Sequence, residues 1–154
     1  MKKKRLEKLS NKQIIKSRQH YLKFYLPQTY NDLIEAGIKE EYSMCFADKP
    51  GFRAGTCKPF YFYDLKHERS TSLKIFPVTF MEGTYMDYVK LSPHQALLDI
   101  YNLMEQVKNV NGTFISIWHN NTVSNTEKYR DWRNVHNKMI QRLLLYSNKP
   151  AALQ

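Results

Sequence analysis

Five histidines, His20, His67, His94, His119 and His136, are the residues of this chain best suited to moving protons near neutral pH. Their spacing includes no HxxxH or HExxH pair, so they do not spell a metal site by sequence. His67 stands among Lys66, Glu68 and Arg69 in an expected surface loop, and His94 falls in the exposed first turn of an expected helix. His136 shares a helical face with Trp132, Val135, Met139 and Ile140, which makes it a packed core histidine. His20 and His119 remain, each at the end of an expected strand. Residues 112–121 set His119 in place. A nearly continuous apolar run (Phe114, Ile115, Ile117, Trp118) follows Gly112 and stops at polar residues, as a strand buried on both faces does. The carboxyl end of a parallel strand is where α/β folds bind ligands, although a polar residue that merely ends a strand looks the same in sequence. Arg18 and Arg53 lie in these neighbourhoods and can hold a carboxylate or orient a catalytic acid; the alternative for each is an ordinary surface arginine.

The elements that must position these side chains follow from periodicity. Leu6 and Leu9 give residues 2–10 a thin apolar stripe compatible with a short helix, and residues 13–20 read as a strand with a polar carboxyl end. Pro27 opens a helix whose face is Tyr30, Leu33 and Ile34 and whose stop is Gly37. Another strand is expected within 38–46. Residues 47–64, punctuated by Pro50, Gly51, Gly55 and Pro59, form an aromatic-rich loop. It either brings backbone close to a ligand or serves as a connection packed by its own aromatics. A strand over 73–80 is interrupted or ended by Pro77. Ser92, Pro93 and Gln95 make a capping box for a helix that ends at Asn111 and Gly112, and a last helix runs over 126–146. Alternation of strands and helices is the signature of an α/β fold with a largely parallel sheet.

At 154 residues the chain fits one domain with a real core. Its 42% hydrophobic content argues against disorder, and it contains no apolar run of about 18 residues that would span a membrane. The basic start at residues 1–5 lacks the apolar stretch of a signal peptide, and Cys45 and Cys57 form no CxxC pair, so a reducing, cytoplasmic setting is expected. The net charge of +10 favours an anionic partner without choosing one.

Four segments, in this order, carry a family resemblance: Ser17-Arg18-Gln19-His20-Tyr21-Leu22-Lys23-Phe24, Glu41-Tyr42-Ser43-Met44-Cys45-Phe46-Ala47-Asp48, Gly51-Phe52-Arg53-Ala54-Gly55-Thr56-Cys57-Lys58-Pro59-Phe60 and Thr113-Phe114-Ile115-Ser116-Ile117-Trp118-His119-Asn120. They resemble the carboxyl-terminal half of a polysaccharide deacetylase-like (NodB-type carbohydrate esterase) domain. The resemblance implies a partial, distorted (β/α) barrel of largely parallel strands without its amino-terminal strands, with residues 1–154 forming a single partial domain. It also implies a hydrolase that removes acetyl groups from cell-envelope glycan sugars with zinc or another divalent metal. In that family an Asp-His-His set holds the metal, a second Asp is the base, and the metal with a backbone N–H stabilises the oxyanion. By resemblance His119 is the general acid, while Arg18, His20, Arg53 and Trp118 line the substrate groove or orient the base.

The family's paired aspartates and histidine ligands lie upstream of the segment that contains Arg18 and His20, and here no aspartate occurs before Asp32. The expectation is therefore a chain that begins inside the domain, binds no metal alone and needs a complementing amino-terminal half or self-associates. Three further departures are Glu41 and Glu82, which stand where Asp is usual, and Cys45, which replaces a glycine. The alternative reading is a basic module that binds nucleic acid or another anionic polymer through Lys2, Lys3, Lys4 and Arg5 and the aromatics of 52–63. It is disfavoured by dispersed basic residues and by aromatics expected to be buried.

Overall fold

A computed structural model describes residues 2–147. Helix α1 is Lys2–Ser10, α2 Gln28–Glu35, α3 Pro93–Asn109 and α4 Arg130–Ser147. The strands are β1 Lys16–Ser17, β2 Glu40–Glu41, β3 Phe60–Asp64, β4 Arg69–Ile75, β5 Phe80–Met81 and β6 Ser116–Ile117. β1, β2 and β4 run parallel in the order β1-β2-β4-β3, with β3 antiparallel at the edge, and β5 and β6 form a second parallel pair. The molecule is thus a mixed helix and strand fold with a mostly parallel sheet.

The two sheets share one central chain segment. Pro77 has no N–H to give and separates β4 from β5, as its position in the expected strand implied. Around it the pairing continues on both sides: Phe76 and Val78 donate to the carbonyls of Glu41 and Met44, and Thr79 donates to that of Ile115. Residues 69–81 therefore act as a central strand flanked on one side by the β2 segment and on the other by β3 and then β6.

Helix ends follow local chemistry. Ser92 and Gln95 exchange the two bonds of a capping box, with Pro93 at the first helical position. The chain leaves both α2 and α3 through a Schellman motif. After α2, Gly37 takes φ 74°, Gly37 N–H donates to Ile34 and Ile38 N–H to Leu33. After α3 it is Asn111, not Gly112, that adopts the left-handed conformation at φ 50°, with Asn111 N–H donating to Lys108 and Gly112 N–H to Val107. Both helices then pack where their faces require. α3 and α4 bury Ala96, Leu97, Ile100, Met104, Trp132, Val135 and Met139 against Phe80 and Tyr85, while α2 covers Leu73 and Ile75 with Tyr30.

Residues 47–64 are not one loop. Their last five residues are β3, paired with β4 across a bulge between Tyr61 and Tyr63. The aromatics expected to be buried are partly on the surface: Phe60, Tyr61 and Tyr63 are exposed, because β3 lies at the sheet edge and turns that face to solvent. Among the described residues no helix is long and apolar enough to cross a membrane.

Candidate functional site

Because β1, β5 and β6 run in one direction, the residues that follow them emerge together. Arg18 and His20 follow β1, Glu82 follows β5, and Trp118 and His119 follow β6; all five line one cleft of about 670 Å³. That volume lies within the range of about 300–1,000 Å³ typical of small-molecule sites. Four of the five residues singled out in the sequence meet here. Arg53 does not line this cleft; its guanidinium lies over the Phe24 ring, 4.7 Å from the centroid. The loop that carries it turns through two left-handed glycines, Gly51 at φ 108° and Gly55 at φ 70°, and is tied to the central strand by Gly51 N–H donating to Thr79.

Glu82 organises the cleft. Its side chain is 1% exposed, and Oε1 accepts from the His119 backbone N–H at 2.8 Å and lies 2.7 Å from His119 Nδ1. The Thr122 hydroxyl sits 2.8 Å from the same oxygen and 2.7 Å from the His119 carbonyl, with one proton to give between them. The backbone N–H donates to Oε1, and the His119 tautomer with its proton on Nδ1 donates to the same oxygen and leaves Nε2 as the working nitrogen. The imidazole is half exposed, so it is fixed at one end and accessible at the other. Trp118 is also held: its Nε1–H donates to Ser116 Oγ at 3.2 Å, and its ring stands edge-on to Phe80 and to the half-buried His136.

Glu82 was legible in principle. It ends the apolar run Val78, Phe80, Met81 just as His119 ends its own, but only the fold places the two side chains together, 37 positions apart. Thr122 gave no sequence signal. In contrast Glu41, the other buried glutamate, serves no cleft. Oε1 has no hydrogen-bond partner, and Oε2 receives a long 3.4 Å contact from the Tyr30 hydroxyl. Burial raises the Glu41 carboxyl above the usual range, with bonds from Ser43 and Tyr30 opposing. Burial likewise pushes the Cys45 thiol up to about 11, so it is an inert core thiol.

The native state therefore holds a proton on Glu41 that the unfolded chain releases at lower pH. This contribution to stability is complete below the ordinary glutamate range and is lost as pH rises through the raised folded value. Glu41→Gln removes the titrating group at nearly constant shape. Urea midpoints from about pH 4 to about pH 8 are expected to fall less steeply in the variant than in the wild type. Parallel slopes would show that Glu41 does not titrate in this way.

Among the described residues no group of three or more His, Cys, Asp or Glu stands close enough to hold a metal ion. His119 and Glu82 spend their facing atoms on each other, so this donor set does not fit the zinc site that the family resemblance implies. Comparisons with protein-family models, curated proteins and solved structures return no match for this chain.

Proposed function

We propose that this chain is the acid-bearing, carboxyl-terminal half of a polysaccharide deacetylase-like hydrolase, acting on acetylated glycan when the metal-binding and base-bearing half is supplied. The observation that carries the reading is the Glu82–His119 pair at the carboxyl ends of parallel strands, with Arg18 and His20 on the same cleft. On this reading the mostly parallel strands are part of a barrel. β1 and β6 are edge strands of the two sheets, and both line a cavity of about 320 Å³. Such edges invite a complementing segment or a second copy.

The chemistry open to these residues is protonation of the leaving group. As the bond from the acetyl carbon to nitrogen or oxygen breaks, His119 in its imidazolium form gives the Nε2 proton to the departing amine or alcohol. Glu82 holds Nδ1–H and balances the charge of the ring before that transfer. Arg18 is placed to meet a substrate hydroxyl or carboxylate on the same wall. Polarisation of the carbonyl and activation of water have no donors among these side chains.

Acetate release from acetylated chitooligosaccharide, measured with zinc present, tests the proposal. The chain alone is expected to release none and to bind no zinc stoichiometrically. Addition of an amino-terminal half with paired aspartates and a histidine motif is expected to restore turnover, which His119→Gln then lowers by at least about a hundredfold. Tight one-to-one zinc with hydrolysis by the chain alone would overturn it.

A second reading rests on the exposed aromatics of β3. Tyr61 stands beside the Lys74 ammonium, 5.8 Å from its ring centroid, an arrangement that suits base stacking and phosphate contact. Binding of single-stranded oligonucleotides that weakens steeply with salt would favour it, and undetectable binding would remove it.

A further inference from the structure

Tyr21 stands on the cleft wall in an unusual state. It has φ 59° and ψ 17°, and Leu22 after it has φ 52°, so two consecutive non-glycine residues occupy the left-handed region. The turn is over-determined by its surroundings. Leu22 N–H donates to Gln19 and Lys23 N–H to His20, while Gln19 N–H is anchored on the hydroxyl of the buried Ser43 at 2.7 Å. Leu22 uses the turn to reach the small core of Cys45, Val78 and Ile117. That packing accounts for the bend but not for a tyrosine at its apex. Tyr21 is 81% exposed and gains little from burial, where glycine or asparagine would relieve the strain. Its ring instead lies against His20, with centroids 4.3 Å apart. A second exposed tyrosine, Tyr88, lines the same cleft from the segment after β5.

A pyranose ring has an apolar face of C–H groups and a polar rim, which suits a tyrosine that offers an aromatic face and a hydroxyl. We infer that Tyr21 is a stacking platform for a sugar ring next to the one presented to His119, so that the ligand of the cleft is an oligosaccharide rather than a monosaccharide. This rests on the glycan reading of the cleft and adds a specificity-determining residue to it. The strained turn fixes the platform before the ligand arrives, so less ordering is needed on binding.

NMR titration of the full chain with N-acetylglucosamine and with N,N′,N″-triacetylchitotriose tests this, following the resonances of His119 and Tyr21. The trimer is expected to move both sets. Its affinity should fall about tenfold in Tyr21→Ala and Tyr21→Gly, the scale of one lost aromatic contact, and stay within about twofold in Tyr21→Phe. Monosaccharide binding should not change. Tyr21→Gly relieves the left-handed strain and should melt no lower than the wild type, so its loss of trimer binding will not reflect misfolding. Unaltered trimer affinity in the alanine and glycine variants would overturn the platform while leaving the cleft a glycan site. If neither sugar moves His119 in the wild type, the glycan reading and the platform fall together.

Discussion

Gly112→Ala is expected to destabilise the protein by about 3 kcal/mol, lowering its melting temperature by roughly 10 °C. The reason is close approach rather than backbone conformation. A Cβ at this position would overlap Cys57 Sγ and would stand 3.1 Å from Val107 Cγ1 and 3.2 Å from Cys57 Cβ. Rotating Cys57 about χ1 moves its sulfur but not its Cβ. The backbones are also pinned, since Thr113 N–H donates to the Cys57 carbonyl at 3.1 Å and Gly112 N–H to Val107 at 2.8 Å. Cys57 is buried, so neither side can swing into solvent. Cys57→Ala alone should cost about 1 kcal/mol through the small cavity it leaves. Combined with Gly112→Ala it should recover at least about 1 kcal/mol relative to the sum of the single changes, because the added methyl then occupies space the sulfur vacated. Additive losses in thermal melts of the four proteins would show that the two positions do not share that space.

This pair also marks what the sequence could disclose. The stop after α3 was readable because Asn-Gly after a periodic helix is a local signal, and so were the capping box of Ser92 and Gln95 and the Gly37 stop. Which of the two residues takes the left-handed turn was not. Nor was the need for glycine at 112, which comes from Cys57, more than fifty positions away and touching the site where a side chain would go. The same division runs through the sheet. The end of β6 just before His119 could be placed by where an apolar run stops, whereas His20, expected at the end of a strand over 13–20, lies in a 3-10 turn beyond the two-residue β1. β3 was hidden because Phe60, Tyr61, Phe62 and Tyr63 show no alternation and sit behind Pro59. Its strand character comes from the antiparallel partner β4, which no local pattern encodes. The candidate site was half legible for that reason. Local rules placed His119 at a strand end, and long-range pairing of β5 with β6 supplied Glu82.

Glu82→Ala is expected to cost about 3 kcal/mol and to release the His119 ring from a single orientation. Two effects oppose each other. The carboxylate is buried and its Oε2 has no partner, so removing it relieves a desolvation cost. Against that, Oε1 receives the His119 backbone N–H and faces Nδ1 and the Thr122 hydroxyl at 2.7–2.8 Å. A hydrogen bond to a charged group contributes roughly 1.5–3 kcal/mol, and the backbone N–H would be left without an acceptor. Loss of these bonds outweighs relief of the one orphan oxygen. Glu82→Gln keeps an acceptor at the Oε1 position and should cost only about 1 kcal/mol. Glu82→Asp separates geometry from charge. Its carboxylate is withdrawn by about one C–C bond, 1.5 Å, so it cannot meet all the donors at their present distances, and its stability should fall between the other two. Urea unfolding gives the order, and amide exchange at His119 gives its cause, since that N–H should exchange faster in the alanine variant than in the glutamine variant. An alanine variant as stable as the wild type, with His119 still protected, would mean that the imidazole is held by something other than Glu82, and the proton-donor geometry built on the pair would lose its foundation.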